Sequence, residues 1–498
     1  MDIKRKIFYI FLTLHAVCWS LIQLMRNIIS IDAMEAISWG ELISFGTNKH
    51  PPLSGWLMAG FYDLFGKSDI LVYILGQLCI IVGFIFVYKL AKFFMSEEKA
   101  FCASMILEFC FYYSYCVFID CYNCNVVMFA LWPMVAYYFY KAIREDKIRD
   151  WVLFGISSGL AFLGKYQIVF LFAGLFIYLI FANREIFKKK GVYLSVGVGT
   201  LVILPHVIWL FQNDFFSFAY MIERTDSVTH NMPAILVKLS HIVYPVKFIG
   251  DQILAVLACV GAYLLLAFQA KNISFKNEEL NKKDALFLLS IGVIPILIHG
   301  FMGVVTGSRV PGIWGCIMVN SVGILLFSFF PINFKENSYK FFSSLCFAAL
   351  TVGLIAVGIF GMLQTKYFIA FPHKKVMADF NQMWDIETNN SELKYVIGDM
   401  GYCFQFNIYN ERHPEVILDT FGHKNPWANH EDILKSGVIV VGVDEQDVID
   451  RTRNGVYLLP ENYQITPKPY KMDICNKLGK CVKEEFYYAI IPPFQSKN

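Results

Sequence analysis

Two carboxylates, Asp32 and Glu35, stand three residues apart, and Lys49 and His50 follow them just ahead of Pro51-Pro52-Leu53. A spacing of three puts both acids on one helix face. Acids and cations this close in sequence suit a reaction in which a hydroxyl loses a proton while a phosphate departs. One carboxylate acts as general base, and two or three cations stabilise the leaving dianion. A plainer reading competes at each position. Acids favour the positive N-terminal end of a helix whether or not they do chemistry, and a Lys-His pair at a membrane interface binds lipid head groups.

The elements that must position these residues are membrane spans. Of 498 residues, 56% are hydrophobic, 17% aromatic and only 17% charged, more apolar surface than one soluble core can hide. The first run, residues 7 to 24, follows Lys4, Arg5 and Lys6 but lacks a small-residue cleavage site, so it is expected to stay as an anchor. About eleven spans are predicted, near 7–25, 70–88, 100–118, 124–141, 151–164, 167–182, 192–211, 251–269, 285–305, 313–331 and 341–362. With the N-terminus in the cytoplasm, Lys92, Lys99, Lys141, Arg144, Lys147, Arg149, Arg184, Lys188 to Lys190, Lys271, Lys276, Lys282 and Lys283 all fall in inner loops. The net charge of +3 thus reflects topology and excludes nucleic-acid binding, because the cations line no single face.

Three outer segments result: 26–69, 212–250 and everything after about 363. The predicted organisation is a transmembrane domain over 1–362 and a small outer α/β domain over 363–498. Within 26–69, two amphipathic patterns at 32–45 and 53–65 are expected to be helices lying in the interface, broken where Pro51 and Pro52 stop a helix. Their apolar residues, Met34, Ile37, Leu42, Ile43, Leu53, Trp56, Leu57 and Phe61, would face lipid or the bundle. In the tail, Lys394-Tyr-Val-Ile-Gly, Glu415-Val-Ile-Leu-Asp and Gly437-Val-Ile-Val-Val-Gly have strand patterns, and Asn429 to Ser436 has that of a helix with Asn429 as N-cap. No P-loop and no GxGxxG opens a helix there, so nucleotide binding has no support.

Thirteen cysteines lie mostly in apolar runs, where a thiol is a small hydrophobe. Cys475 and Cys481 suit a disulfide in an oxidising compartment, which leaves Cys403 over. Cys121-Tyr-Asn-Cys124 has CxxC spacing but lacks the second pair of ligands that a structural zinc needs. His15, His206 and His299, all in apolar runs, are expected to be satisfied core residues, and Asn425-Pro-Trp427 a structural turn.

The chain resembles the membrane glycosyltransferases that take sugars from polyprenyl phosphates, a family that includes protein O-mannosyltransferases and lipid A aminoarabinose transferases. The likeness covers roughly residues 25–330 and rests on an acidic pair in the first outer loop, usually Asp-Glu but here Asp32 followed by Ala33, and then a basic residue before Pro-Pro-Leu. Asp32, Glu35, Ala36, Trp39, Gly40 and Lys49 to Leu53 fit a bacterial branch reading D-x-x-E-A-x-x-W-G and then K-H-P-P-L. Tyr122-Asn-Cys-Asn125 stands where relatives often carry a second acid, and Asn125 with Asp120 nearby departs from that pattern. Leu163-Gly-Lys165-Tyr166 and Ser308-Arg309-Val-Pro311 resemble further family segments, the latter one whose cation faces the donor phosphate.

The resemblance implies an α-helical polytopic protein of the GT-C type in the bacterial inner membrane. It would move a sugar from a polyprenyl phosphate to lipid A or lipopolysaccharide core on the periplasmic face, with protein a lesser candidate acceptor. Asp32 would be the base and Glu35 would position the acceptor, giving inversion at the anomeric carbon. Lys49, His50 and Arg309 would clamp the phosphate with Lys165 in reserve, and Asp120, Asn123 and Asn125 would contact substrate. Beyond the donor no cofactor is required, although a divalent metal stays compatible, and the donor's lipid tail would occupy an apolar groove between helices. The rival class is a transporter or flippase for a lipid-linked saccharide. It is opposed by the lack of an evident internal repeat and by charges gathered at one interface, not at mid-bilayer.

Overall fold

Apolar runs of twenty or more residues can satisfy their backbone polar groups in lipid only as helices, and six such helices cross-length are present among the described residues. They are Ile3–Met25, Asp69–Ala91, Cys124–Glu145, Lys190–Gln212, Ile235–Ala270 and Ser338–Leu363 in a computed structural model. The structure describes residues 3–41, 44–215, 217–218, 233–271, 280–365, 367–417, 428–456 and 458–494. Leu42, Ile43, Lys276 and Asn425-Pro-Trp427 lie outside them. The chain is an α-helical, multi-pass membrane protein with a small C-terminal sheet domain.

Two further expected spans are bent. Glu97–Phe109 and Phe111–Asp120 meet at 77°, across an extended Cys110, and Lys282–Gly292 and Ile294–Thr306 meet at 47°. Pro295 in the first turn of Ile294–Thr306 explains the second bend, since it has no N–H to continue the preceding helix. Counting each bent pair once gives up to eight spans. Ile148–Gly164 and Ile168–Ala182 are shorter, at 17 and 15 residues. The expected span at 313–331 is corrected: this stretch is a 3₁₀ turn at Gly312–Gly315 followed by an eight-residue helix, Val322–Phe329. Its apolar residues face protein, and Ile317, Met318 and Ile324 are fully buried. Hydropathy alone does not separate a buried short element from a span. The outer segment 212–250 is likewise shorter than expected, because Ala234–Ala270 is helical throughout.

The chain divides into two compact units, Met1–Gln23 with Ile43–Val357 and Leu24–Leu42 with Gly358–Asn498. The first outer segment is therefore shared between them. In the first unit, helices Ile148–Gly164 and Lys190–Gln212 cross closely enough that a Cβ on Gly155 would lie 2.6 Å from the Ser195 carbonyl oxygen. Inside the same unit His15 Nδ1 meets Glu108 Oε2 at 2.5 Å, and Trp19 Nε1 donates to Glu108 Oε1 at 3.4 Å. That pairing accounts for a carboxylate buried within an apolar run.

The second unit holds a five-stranded sheet of order β2-β1-β3-β5-β4. Its strands are β1 Tyr395–Gly398, β2 Glu415–Ile417, β3 Val438–Gly442, β4 Lys468–Cys475 and β5 Cys481–Ile491. β1 pairs in parallel with β2 and β3, which requires crossovers, and helices Met400–Tyr409 and His430–Ser436 supply them. The three strand patterns read from the sequence are β1, β2 and β3. Asn429 caps His430–Ser436 by accepting from the Asp432 N–H at 3.1 Å. Buried Ile397, Ile433, Val438, Val440 and Val448 form the core. The antiparallel hairpin of β4 and β5 is closed by a Cys475–Cys481 disulfide, and Cys403 is buried outside it.

Candidate functional site

Helix Ile31–Glu41 carries both acids. Ser30 starts it, its Oγ accepting from the Ala33 N–H at 3.2 Å. Ala33, Met34, Ala36 and Ile37 are buried, and the helix packs against Met400–Tyr409 of its own unit. The Ile29 N–H donates to Tyr409 Oη at 2.8 Å, and Asn407 Nδ2 to Glu41 Oε2 at 3.4 Å. The expectation that its apolar residues face lipid or the bundle is corrected in part: Met400–Tyr409 of the same unit packs against the helix. Asp32 is exposed and Glu35 is 2% exposed, so Asp32 is the carboxylate with access to solvent.

Lys49 and His50 sit in the first unit, on a turn built by Thr47. The Thr47 hydroxyl donates to the His50 carbonyl at 2.7 Å and accepts from the Lys49 and His50 N–H groups at 3.2 and 3.0 Å. Prolines 51 and 52 then end the turn, and helix Leu53–Phe65 begins at once. Long-range contacts hold the turn from one side. Ser217 Oγ donates to the Thr47 carbonyl at 2.5 Å, Trp56 Nε1 to the Ser44 carbonyl at 2.9 Å, and His206 Nδ1 to the Phe45 carbonyl at 2.6 Å. Because Nδ1 faces a carbonyl it carries the proton, so Nε2 accepts from Tyr166 Oη at 2.8 Å. His206 is therefore satisfied at both nitrogens, as expected. Nothing local in the sequence marks Tyr166, His206 or Ser217 as supports of this turn, for their partners lie 40 to 170 residues away.

Lys165, at the end of helix Ile148–Gly164, is 6% exposed and donates to Asn125 Oδ1. No carboxylate lies within ion-pair distance of it among the described residues. The preceding Gly164 has no side chain, and a Cβ there would lie 3.8 Å from Leu53, next to the Lys49–Pro52 turn. His299, 5% exposed, lies within range of the Lys165 charge and stacks on Phe170 with ring centroids 4.4 Å apart. Its Nδ1 has no hydrogen-bond partner among the described residues, so the expectation of a satisfied core histidine fails there. The same is true of His15 Nε2.

The segment Asp120–Cys124 completes this region. Cys121 has φ of 55°, Tyr122 Oη donates to the Ser54 carbonyl at 2.8 Å, and a Cβ on Gly76 would fall 2.4 Å from the Cys121 carbonyl oxygen. Helix Asp69–Ala91 therefore approaches this turn only because residue 76 is glycine. Asn123, expected to contact substrate, caps Cys124–Glu145 by accepting from the Val126 N–H at 3.0 Å. Asp120 is half-buried. Arg309 is exposed on the segment after Ile294–Thr306, whose end is fixed by Tyr112 Oη and Gln252 Nε2, each donating to the Gly312 carbonyl at 2.9 Å. Beside it lies a cavity of about 470 Å³ lined by Tyr112, Asp251 and Gly312, among others. Among the described residues no group of three His, Cys, Asp or Glu side chains is placed to hold a metal.

Lys165 is thus a buried ammonium facing a neutral amide, near a turn that carries two more basic side chains. With its spans and C-terminal sheet domain, the chain is a multi-pass membrane protein with a small α/β unit. Residues 49–209 match the family described as dolichyl-phosphate-mannose-protein mannosyltransferase. The chain is 22% identical over 186 residues to the lipid A galacturonosyltransferase RgtD of Rhizobium johnstonii, a match spanning 37% of this chain and 39% of that relative. Its fold is that of ArnT from Cupriavidus metallidurans, solved bound to undecaprenyl phosphate, with TM-score 0.61, 11% identity and 97% of each chain covered. The apo ArnT structure superposes with TM-score 0.59 at 12% identity, again over 97% of each chain.

Proposed function

We propose that this protein transfers a sugar from a polyprenyl-phosphate donor to lipid A or lipopolysaccharide core, on the periplasmic face of the bacterial inner membrane. The observation that carries the reading is Lys165, a buried cation whose hydrogen-bond partner, Asn125, is neutral. Burying an ammonium without a counter-charge is costly, and a substrate phosphate supplies that charge when bound. The matches to a mannosyltransferase family, to a lipid A galacturonosyltransferase and to the ArnT fold support the same donor and acceptor classes.

In the proposed reaction the acceptor hydroxyl gives its proton to Asp32, and its oxygen bonds to the anomeric carbon as the bond from that carbon to the phosphate oxygen breaks. Polyprenyl phosphate leaves with the electron pair. Lys49, His50 and Lys165 receive its negative charge, with Arg309 as the exposed member of the set. Glu35 positions the acceptor. Attack opposite the leaving group inverts the anomeric centre. No step needs a metal, because phosphate ester activation is already present in the donor.

The test is a transfer assay with purified full-length protein, lipid A and a polyprenyl-phosphate sugar, read by mass spectrometry. A sugar mass increment on lipid A with release of polyprenyl phosphate is expected. Donor crossing the membrane of proteoliposomes without any product would replace the enzyme with the transporter reading.

A further inference from the structure

The hairpin that joins β4 to β5 ends in Cys475-Asn-Lys-Leu-Gly-Lys-Cys481, stapled by the disulfide. Asn476 organises its tip: Oδ1 accepts from the Leu478 and Lys480 N–H groups at 3.0 and 2.9 Å, and Gly479 turns the chain at φ of 81°. Two hydrogen bonds then fix the tip's depth. Asn476 Nδ2 donates at 3.0 Å to the carbonyl of Leu363, the last residue of Ser338–Leu363, and Lys477 Nζ donates at 2.8 Å to Asn27 Oδ1, two residues beyond Ile3–Met25. All of these residues belong to the second unit.

Both partners are the ends of apolar helices long enough to span. Helices of 26 and 23 residues extend about 39 and 34 Å, against about 30 Å of hydrocarbon and 40–45 Å with head groups. Their ends therefore lie in the head-group layer, and so does anything hydrogen-bonded to them. The tip offers that layer Leu478, 65% exposed, flanked by exposed Lys477 and Lys480. A single exposed leucine is ordinary on a soluble surface. At this depth, between two lysines on a stapled turn, it has the composition of an interfacial anchor.

We propose that the Cys475–Cys481 hairpin is a membrane-surface finger that places Leu478 at the acyl boundary and Lys477 and Lys480 on anionic phospholipid head groups. The contact is independent of the reaction and fixes the sheet domain against the bilayer.

The experiment uses full-length protein in nanodiscs of zwitterionic lipid with or without anionic phospholipid. A photo-crosslinking phenylalanine analogue replaces Leu478, and adducts are identified by mass spectrometry. The same analogue replaces Val352, 65% exposed in a span, as the lipid-facing control, and Lys435, near the start of β3 and at the opposite end of the sheet from the hairpin tip, as the distant control. Phospholipid adducts at 478 approaching those at 352 and well above those at 435 are expected. Anionic lipid should be enriched among them by about fivefold per lysine, an enrichment that Lys477→Ala with Lys480→Ala removes. Adducts at 478 no more frequent than at 435, or directed to protein instead of lipid, overturn the proposal, as does enrichment that survives the double lysine variant.

Discussion

Replacing Lys165 by methionine separates function from stability, because the two are expected to move in opposite directions. The side chain is 6% exposed, and its hydrogen-bond partner is the neutral Asn125. In the empty protein this ammonium bears a desolvation cost that no described carboxylate offsets, and exchanging a poorly compensated buried charge for an apolar chain of similar length is neutral or stabilising. In the loaded protein the same ammonium meets phosphate charge, a contact of about 2–4 kcal/mol at a dry, preorganised site. At 1.36 kcal/mol per tenfold, Lys165→Met should lower transfer by about 30- to 1000-fold while thermal unfolding in detergent stays level or shifts upward. The assay pair is initial transfer rate to lipid A, followed by mass spectrometry, and a melting curve on the same preparation. Asn125→Asp is the companion variant: it gives Lys165 a permanent carboxylate, so it should stabilise the fold and slow transfer by competing with the phosphate. Lys165→Met that melts markedly earlier, or that transfers at the wild-type rate, would falsify the assignment of Lys165 to an anion site.

Asp32→Asn should reduce transfer by about 10²–10⁴-fold with an unchanged melting curve, whereas Glu35→Gln should act mainly on the KM for acceptor; full activity in Asp32→Asn would move the base role elsewhere. Thr47→Val removes three hydrogen bonds that shape the Lys49–His50 turn, and a loss of about 1–3 kcal/mol is expected with a raised donor KM, measured by the same two assays. In the sheet domain the Arg412 guanidinium, 2.7 and 2.9 Å from Asp385, holds that carboxyl below the usual carboxylate range. Its stabilising effect is therefore present above pH about 4 and lost as pH falls further, so Arg412→Ala should lower the melting point at pH 7 and make little difference near pH 3. Burial pushes the Glu415 carboxyl above its ordinary value, so its ionisation opposes folding as pH rises; Glu415→Gln should raise the melting point by about 1–2 °C at neutral pH, with the gain fading in acid.

The parts of this fold that announce themselves locally are legible in the chain. Long apolar runs such as 69–91 and 124–145 are helices, the short apolar run Val438 to Val441 is a buried strand, and Asn429 caps the helix that precedes that strand. Cys475 and Cys481 are near neighbours across a hairpin and pair. The misses share a cause, which is tertiary context. The 313–331 run has the hydropathy of a span yet forms buried turns and a short helix, because its neighbours are protein. Ile31–Glu41 has the pattern of an interfacial helix, but the surface that covers it is contributed by Met400–Tyr409, some 360 residues later. Of the candidate site, motif spacing picks out Lys49, His50 and Lys165 as single residues. That Asn125 is the partner of Lys165, and that His206 holds the turn, depends on contacts across 40 and 161 residues that no local signal carries.

The division of the chain also sets a clock. The acid-bearing helix is made early, but its packing partner at residues 400–409 leaves the ribosome only after about 360 more residues, roughly 20–70 s at 5–20 residues per second. For that interval the Ile31–Glu41 segment has been synthesised without the surface it is built to cover. Spans that follow it must be inserted while it waits. Any chain stopped before residue 400 lacks the helix that packs against its acid-bearing segment.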